Sequence, residues 1–196
     1  MTHDELLDLV TSNLDRDGED WSGKPGAVLY SDLASIRPGR FYLMGMNPGG
    51  DPDAPGCPPI RHNLYADRGT NHYADQCWDC AAPNICPHLD PATQRVRPEE
   101  RQQMQRRVCD LIAALGVKAQ KLLSTNLVFH RTRQARDLPN WHEWCNRCWR
   151  VHRVLVRQVQ PDWIISLGFG PRSAYEFLRE GAEQHPIPRN GHPPVG

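Results

Sequence analysis

Four apolar residues, Phe41 to Met44, run directly into Gly45-Met-Asn-Pro-Gly-Gly. An apolar run this short, closed by glycine and proline, reads as a buried strand over Phe41 to Met46 that ends in a tight turn. In an open α/β sheet the crevice beyond the carboxyl ends of the strands is where ligands bind. Asn47 is thereby offered to a pocket. Two further apolar runs, Leu122 to Phe129 and Asp162 to Leu167, read as a second and a third strand. Helical spacing fills the segments around them. Leu6, Leu7, Val10 and Leu14 mark a first helix; Met104, Val108, Leu111, Ile112 and Leu115 mark a second, with Pro98 in its first turn and Gly116 just past its end. A third helix opens with Asn140 as N-cap and Glu143 in a capping box, carries an apolar stripe from Trp141 to Val159, and stops at Pro161. After the turn Gly168-Phe-Gly, residues Ala174, Phe177 and Leu178 indicate a last helix. Strands alternating with helices predict an α/β fold, a three-layer sandwich with a short central parallel sheet.

A chain of 196 residues with 39% hydrophobic content suits a single domain over 1–196. No apolar run approaches the roughly 20 residues needed to cross a bilayer, and the acidic start is unlike a secretory signal, so a cytoplasmic monomer without a membrane partner is expected. From about 51 to 97 the chain loses its apolar periodicity and fills with Pro, Gly, Asn and Cys, a Cys-rich insertion far longer than an ordinary connection. The formal net charge of zero conceals an asymmetry: residues 1–90 carry 6 Lys and Arg against 14 Asp and Glu, and residues 91–196 carry 17 against 9. The basic half can present a phosphate-binding face, and Arg131, Arg133 and Arg136, just after the second strand, are its best candidates.

The GMNPG string resembles the first motif of the uracil-DNA glycosylase superfamily, especially its single-strand-selective monofunctional branch. The similarity extends over roughly 41–50, 121–133 and 161–181. It implies a uracil-DNA-glycosylase-like fold that hydrolyses the N-glycosidic bond of uracil or another damaged base in damaged or single-stranded DNA. By that resemblance Asn47 positions the attacking water, and Asn126 in TNLVFHRTR hydrogen-bonds the Watson–Crick edge of an extruded pyrimidine. Met46 joins the base contacts, and Gly168 lies at the DNA phosphates beside Arg131 and Arg133. The chemistry itself needs a held water and a donor to the departing base oxygen, and no cofactor. In the family that donor is the histidine of an HPS motif after a fourth strand; here the comparable string is His192-Pro-Pro. No fourth apolar run precedes it, so either His192 acts from a tail or the true second motif is absent. The position of the stacking aromatic, thirteen residues after Asn47, carries Ile60, with Tyr65 and Tyr73 as loop aromatics that can substitute.

Seven cysteines in a chain without a secretory signal suggest metal or reduced thiols rather than disulfides. Cys77-x-x-Cys80 and Cys86, with Cys57 upstream and His88 just beyond, put four or five soft ligands in a loop that cannot build a core, as one structural zinc or an iron-sulfur cluster requires. The iron-sulfur uracil-DNA glycosylases offer a partial resemblance: one of their ligands stands thirteen residues before the Pro of the third strand, where this chain has Cys148, and His130 stands where they have another cysteine. That resemblance tilts the expectation toward a cluster, while Cys145, Cys148 and Cys109 also fit the apolar faces of their helices. Two other functions fit the same residues. One is a catalytically inactive superfamily member that binds nucleic acid or a nucleotide; the other is a metal-dependent or redox role for the cysteine loop, with the α/β domain as its scaffold.

Overall fold

The computed structural model describes residues 1–80 and 86–184. Helix α1 (His3–Leu14) is closed at its amino end by a reciprocal cap, in which Glu5 N–H donates to Thr2 Oγ1 at 3.2 Å and Thr2 N–H to Glu5 Oε2 at 2.7 Å. Leu6, Val10 and Leu14 fall on one face and are fully buried.

Strands β1 (Phe41–Gly45), β2 (Leu123–Asn126) and β3 (Trp163–Ser166) form one parallel sheet in the order β2-β1-β3. The register places Gly45 opposite Asn126 and Met44 opposite Ser166, so all three strands end at one edge. Alternation along β1 divides the core. Tyr42 and Met44 join a cluster with α1 and with α3 (Trp141–Val159), whereas Leu43 joins Val108 and Ile112 of α2 (Gln103–Ala114). Helices therefore cover both faces, consistent with a three-layer sandwich. Helix α4 (Ala174–Gln184) sets Phe177 edge-on to Trp149 of α3, at 5.6 Å between centroids. Among the described residues no helix is long and apolar enough to cross a membrane.

Four details differ from the sequence expectation. Strand β2 is half its predicted length, because Leu127 N–H and Val128 N–H bend over to donate to Gly45 O and Met46 O, both at 2.9 Å. Helix α2 starts at Gln103; Pro98 instead opens a separate 3₁₀ turn, and extended backbone at Arg101 divides the two. Asn140 makes no side-chain cap: its backbone is left-handed, φ +48°, and Glu143 turns to the Arg147 guanidinium at 2.7 Å. The run Ala27–Asp32, outside every predicted element, lies against β2, where Tyr30 N–H donates to Ser124 O at 2.7 Å and Leu29 bridges Thr125.

One buried polar chain ties the sheet to α3. His152 is fully buried, with Nε2 3.0 Å from Leu127 O and Nδ1 2.6 Å from Tyr42 Oη, and Thr125 Oγ1 lies 3.2 Å from the same Oη. A carbonyl only accepts, so Nε2 must carry the proton and Nδ1 must accept from Tyr42, which accepts in turn from Thr125. Protonating the ring would break this chain, and burial accordingly pushes the His152 pKa down to about 4. A free histidine titrates near 6.5, so between those values the unfolded chain binds the extra proton. The neutral histidine's contribution is intact above about pH 6.5 and is lost as pH falls toward 4. We expect His152 alone to remove about 2 kcal/mol from the unfolding free energy at pH 5 relative to pH 7.5. Urea denaturation at the two pH values in a His72→Asn background, which removes the other buried histidine titrating in this window, measures it, and unchanged stability would contradict a buried neutral His152.

Candidate functional site

A cavity of about 830 Å³ opens at the carboxyl edge of the sheet. Gly45, Met46 and Asn47 line it from the end of β1, Asn126 from β2, and Leu167 from just beyond β3. The insertion supplies the facing wall, with Tyr65, His72, Tyr73 and Trp78. Tyr30 joins that wall, its ring 5.2 Å from Tyr73 and 5.1 Å from His72, and Tyr73 lies 5.6 Å from Trp78. Such a surface offers flat apolar faces to a planar ligand.

The two asparagines present opposite ends of their amides. Asn47 Nδ2 donates to Thr132 Oγ1 at 2.8 Å and lies 3.2 and 3.4 Å from the carbonyl oxygens of Pro48 and His130. Carbonyl neighbours fix which arm is nitrogen, leaving Asn47 Oδ1 as an acceptor with no partner among the described residues. In Asn126, only 3% exposed, Nδ2 is buried beside the Tyr30 hydroxyl, whose burial-raised pKa it partly lowers, but makes no hydrogen bond of good geometry. A buried amide donor left unmade costs about 1–3 kcal/mol, so this one is a poised contact for an acceptor entering the cavity. Glycine at position 45 makes the arrangement possible: an added Cβ would stand 2.3 Å from Asn126 Oδ1 and 3.1 Å from Tyr73 Oη.

Charge around the cavity is sparse. Arg131 lines it, held beneath the turn by a 2.6 Å bond from Nη1 to Gly49 O. His72 also lines it; desolvation pushes its pKa down to about 4, Asp67 opposing and Arg131 assisting, so its ring is neutral at pH 7. Burial raises the Tyr30 and Tyr73 hydroxyls, which stay protonated.

Cys77, Cys80 and Cys86 bring their three Sγ atoms within 4.8 Å of one another, a group that can hold a metal ion. They share thiolate character unequally. Hydrogen bonding to Cys86, with some desolvation, pushes Cys80 up to about 12. Desolvation raises Cys86 too, but hydrogen bonds from Cys80 and Cys77 outweigh it and bring it below the ordinary thiol value.

The other expected site residues are dispersed. Ile60 is fully buried in the main core, bonded through its backbone N–H to Lys24 O, and does not reach the cavity. Gly168, at φ +96°, makes the turn after β3 but leaves the cavity wall to Leu167. Arg133 is paired with Asp51 at 2.9 Å. Cys148 is buried in the core under α3, its thiol raised to about 12 by burial, and with Cys57 it stands outside the sulfur cluster. His130 stacks on Trp144 at 4.9 Å and 10°. His192 lies outside the described residues. Sequence reasoning missed Tyr30, His72, Trp78 and Thr132. Trp78 had one legible sign, its place between Cys77 and Cys80; Thr132 had none, because its role is to hold Asn47 across 85 positions.

No protein-family model, curated protein or solved structure matches this chain.

The geometry at Gly45 gives a sharp expectation. Gly45→Ala forces the new methyl into the Asn126 amide and should lower stability by about 1–3 kcal/mol, as overpacking does. Gly49→Ala, two residues past Asn47, meets nothing within 4 Å and serves as the control. Denaturation midpoints compare the two, and equal midpoints would refute the crowding at Gly45.

Proposed function

We propose that this protein is a uracil-DNA-glycosylase-like enzyme that excises uracil or another damaged base from DNA, with the base bound in the cavity at the carboxyl edge of the sheet. The observation that carries the reading is the unpartnered Asn126 Nδ2 buried in that wall. An extruded pyrimidine supplies the missing acceptor through a ring carbonyl, and the Asn126 carboxamide oxygen can take the neighbouring ring N–H. The aromatic wall of Tyr30, Tyr73 and Trp78 provides the stacking surface that Ile60, in the core, does not.

Hydrolysis of the N-glycosidic bond leaves a cationic sugar and an anionic base, so it depends on a held water and on donors to the base. Asn47 Oδ1 accepts from the water while Thr132 and two carbonyls hold the amide in place. Negative charge on the departing base meets Arg131 and the neutral imidazole of His72, whose N–H can donate without first losing a proton. A metal held by the three cysteines would order the wall that Cys77, Trp78 and Cys80 form. The second reading, a domain that binds a base or nucleotide without cleaving it, uses the same Asn126 contact.

Purified protein is incubated with single- and double-stranded oligonucleotides carrying uracil, hypoxanthine or xanthine, and alkali-labile sites are counted. Asn47→Ala should lose at least about tenfold in kcat with little change in DNA affinity, because it removes an interaction needed in the transition state. Asn126→Asp should alter which base is accepted, since a carboxylate lacks the amide donor. His72→Ala should lower kcat as well. Wild-type turnover by the Asn47 variant excludes the mechanism, and absence of excision by the wild type on every lesion leaves the binding-only reading.

A further inference from the structure

We infer that Cys77, Cys80 and Cys86 form a mononuclear, zinc-type site whose fourth coordination position opens into the cavity, making the ion part of the cavity wall. Sulfur spacing decides the nuclearity. Thiolates on one tetrahedral ion, with bonds of about 2.3 Å, stand about 3.8 Å apart. In an iron-sulfur cubane each thiolate binds a different iron, which spreads the sulfurs further. Three Sγ atoms already within 4.8 Å of one another need only a small contraction to hold a single ion, and would have to separate to hold a cluster.

The ligand count decides the open position. Residues 81–85, AAPNI, contain no Cys, His, Asp or Glu and so add no such ligand. Among the described residues no fourth Cys, His or carboxylate joins the three sulfurs. His88, the nearest candidate in sequence, has Nδ1 bonded to Glu100 at 2.7 Å, which leaves Nε2 free, but neither ring nitrogen falls within the group of three sulfurs. Three protein ligands and one free position is the pattern of a zinc site that binds water or an exogenous group.

Placement decides where that position faces. Cys77 and Cys80 themselves line the cavity, and Trp78, between them, contributes to its aromatic wall with Nε1 donating to His72 O at 3.1 Å. The C-x-x-C turn is held from outside, because Gln105 Nε2 donates to Gln76 O at 2.8 Å and Gln102 donates to Asp79. Metal binding thus fixes a wall already shaped for it, and an anionic ligand in the cavity gains a Lewis-acidic neighbour. The inference does not depend on base excision.

The test uses the full chain with its metal exchanged for Co²⁺, and azide as the anionic probe. One metal per chain should be found, with thiolate-to-cobalt absorption in the near ultraviolet and tetrahedral bands in the visible that shift as azide is added. Cobalt should also quench tryptophan fluorescence in the wild type, and markedly less in Trp78→Phe. Cys77→Ser, Cys80→Ser and Cys86→Ser should each lose the metal, while Cys57→Ser and Cys148→Ala keep it. Iron with acid-labile sulfide would overturn the single-ion site; metal retained in Cys86→Ser would overturn the ligand set. A cobalt spectrum indifferent to saturating azide would overturn the open position, and it is read on the wild type, so it stands even where a cysteine variant fails to fold.

Discussion

The cavity exists because a segment without regular helix or strand is held against the sheet edge by three buried polar side chains, beside the burial of Ile60, Leu64 and Tyr73. Gln105 spends its amide on the carbonyls of His72, Tyr73 and Gln76, at 2.8–3.2 Å. Asn71 reaches Ala119 O and Ser124 Oγ through Nδ2 and receives Tyr73 N–H on Oδ1. Asp75 accepts from Asn71 N–H at 2.8 Å and from Gln120 at 2.9 Å. Each of the three is buried, so losing one partner strands the other in a low-dielectric interior. Polar satisfaction thus reinforces hydrophobic burial, and the facing wall keeps its shape with Tyr73 and Trp78 lining the cavity.

This division explains what the sequence made legible. The strands that carry Gly45 and Asn126 were readable because short apolar runs and a Gly-Pro turn are local signals, but the end of β2 at Asn126 was not, since the apolar run continues to Phe129. The wall was not readable. Asn71, Asp75 and Gln105 look like ordinary surface residues in sequence, and their importance comes from partners 29 to 53 positions away, such as Gln76 for Gln105 and Ser124 for Asn71. Ile60 failed as a base contact for the same reason: an isolated apolar residue among prolines carries no period, and its burial depends on Lys24 and Ser22, whose backbone oxygens accept from Ile60 and Arg61. Cys148 resolved toward the core, as its place on the stripe of α3 allowed. The group of Cys77, Cys80 and Cys86 was legible from spacing; the 4.8 Å limit on the separation of its Sγ atoms was not.

Electrostatics show how misleading a charge tally is before the chain is folded. The acidic first half and basic second half suggest a free phosphate-binding face, yet the two halves spend much of their charge on each other. Arg147 has a side chain 8% exposed, bonded to Asp17 and Glu143, and stacked over Trp21. Arg133 pairs with Asp51 and Arg95 with Asp75, and Arg101 is bound to Ala74 O. Most of these pairs are surface contacts worth little stability, but they remove cations from the count available to a ligand.

Arg131 illustrates the consequence. As a residue after the second strand it looks like a phosphate contact, but its guanidinium is the prop beneath the Asn47 turn, and at Gly50, φ +108°, an added Cβ would come 2.8 Å from Nη1. Removing that guanidinium would loosen the turn and weaken binding even if no phosphate ever touched it, so lost affinity alone cannot separate the two roles. A reduced salt slope can, because counterion release follows the number of phosphates neutralised and not the geometry of a turn. Arg106 and Arg107, exposed on α2 and without an ion pair among the described residues, sit a few positions from Gln102 and Met104 in the cavity lining. A polyanion that enters the cavity would therefore have the exposed cations of α2 available besides Arg131, whose Nη1 also holds the Asn47 turn through Gly49 O.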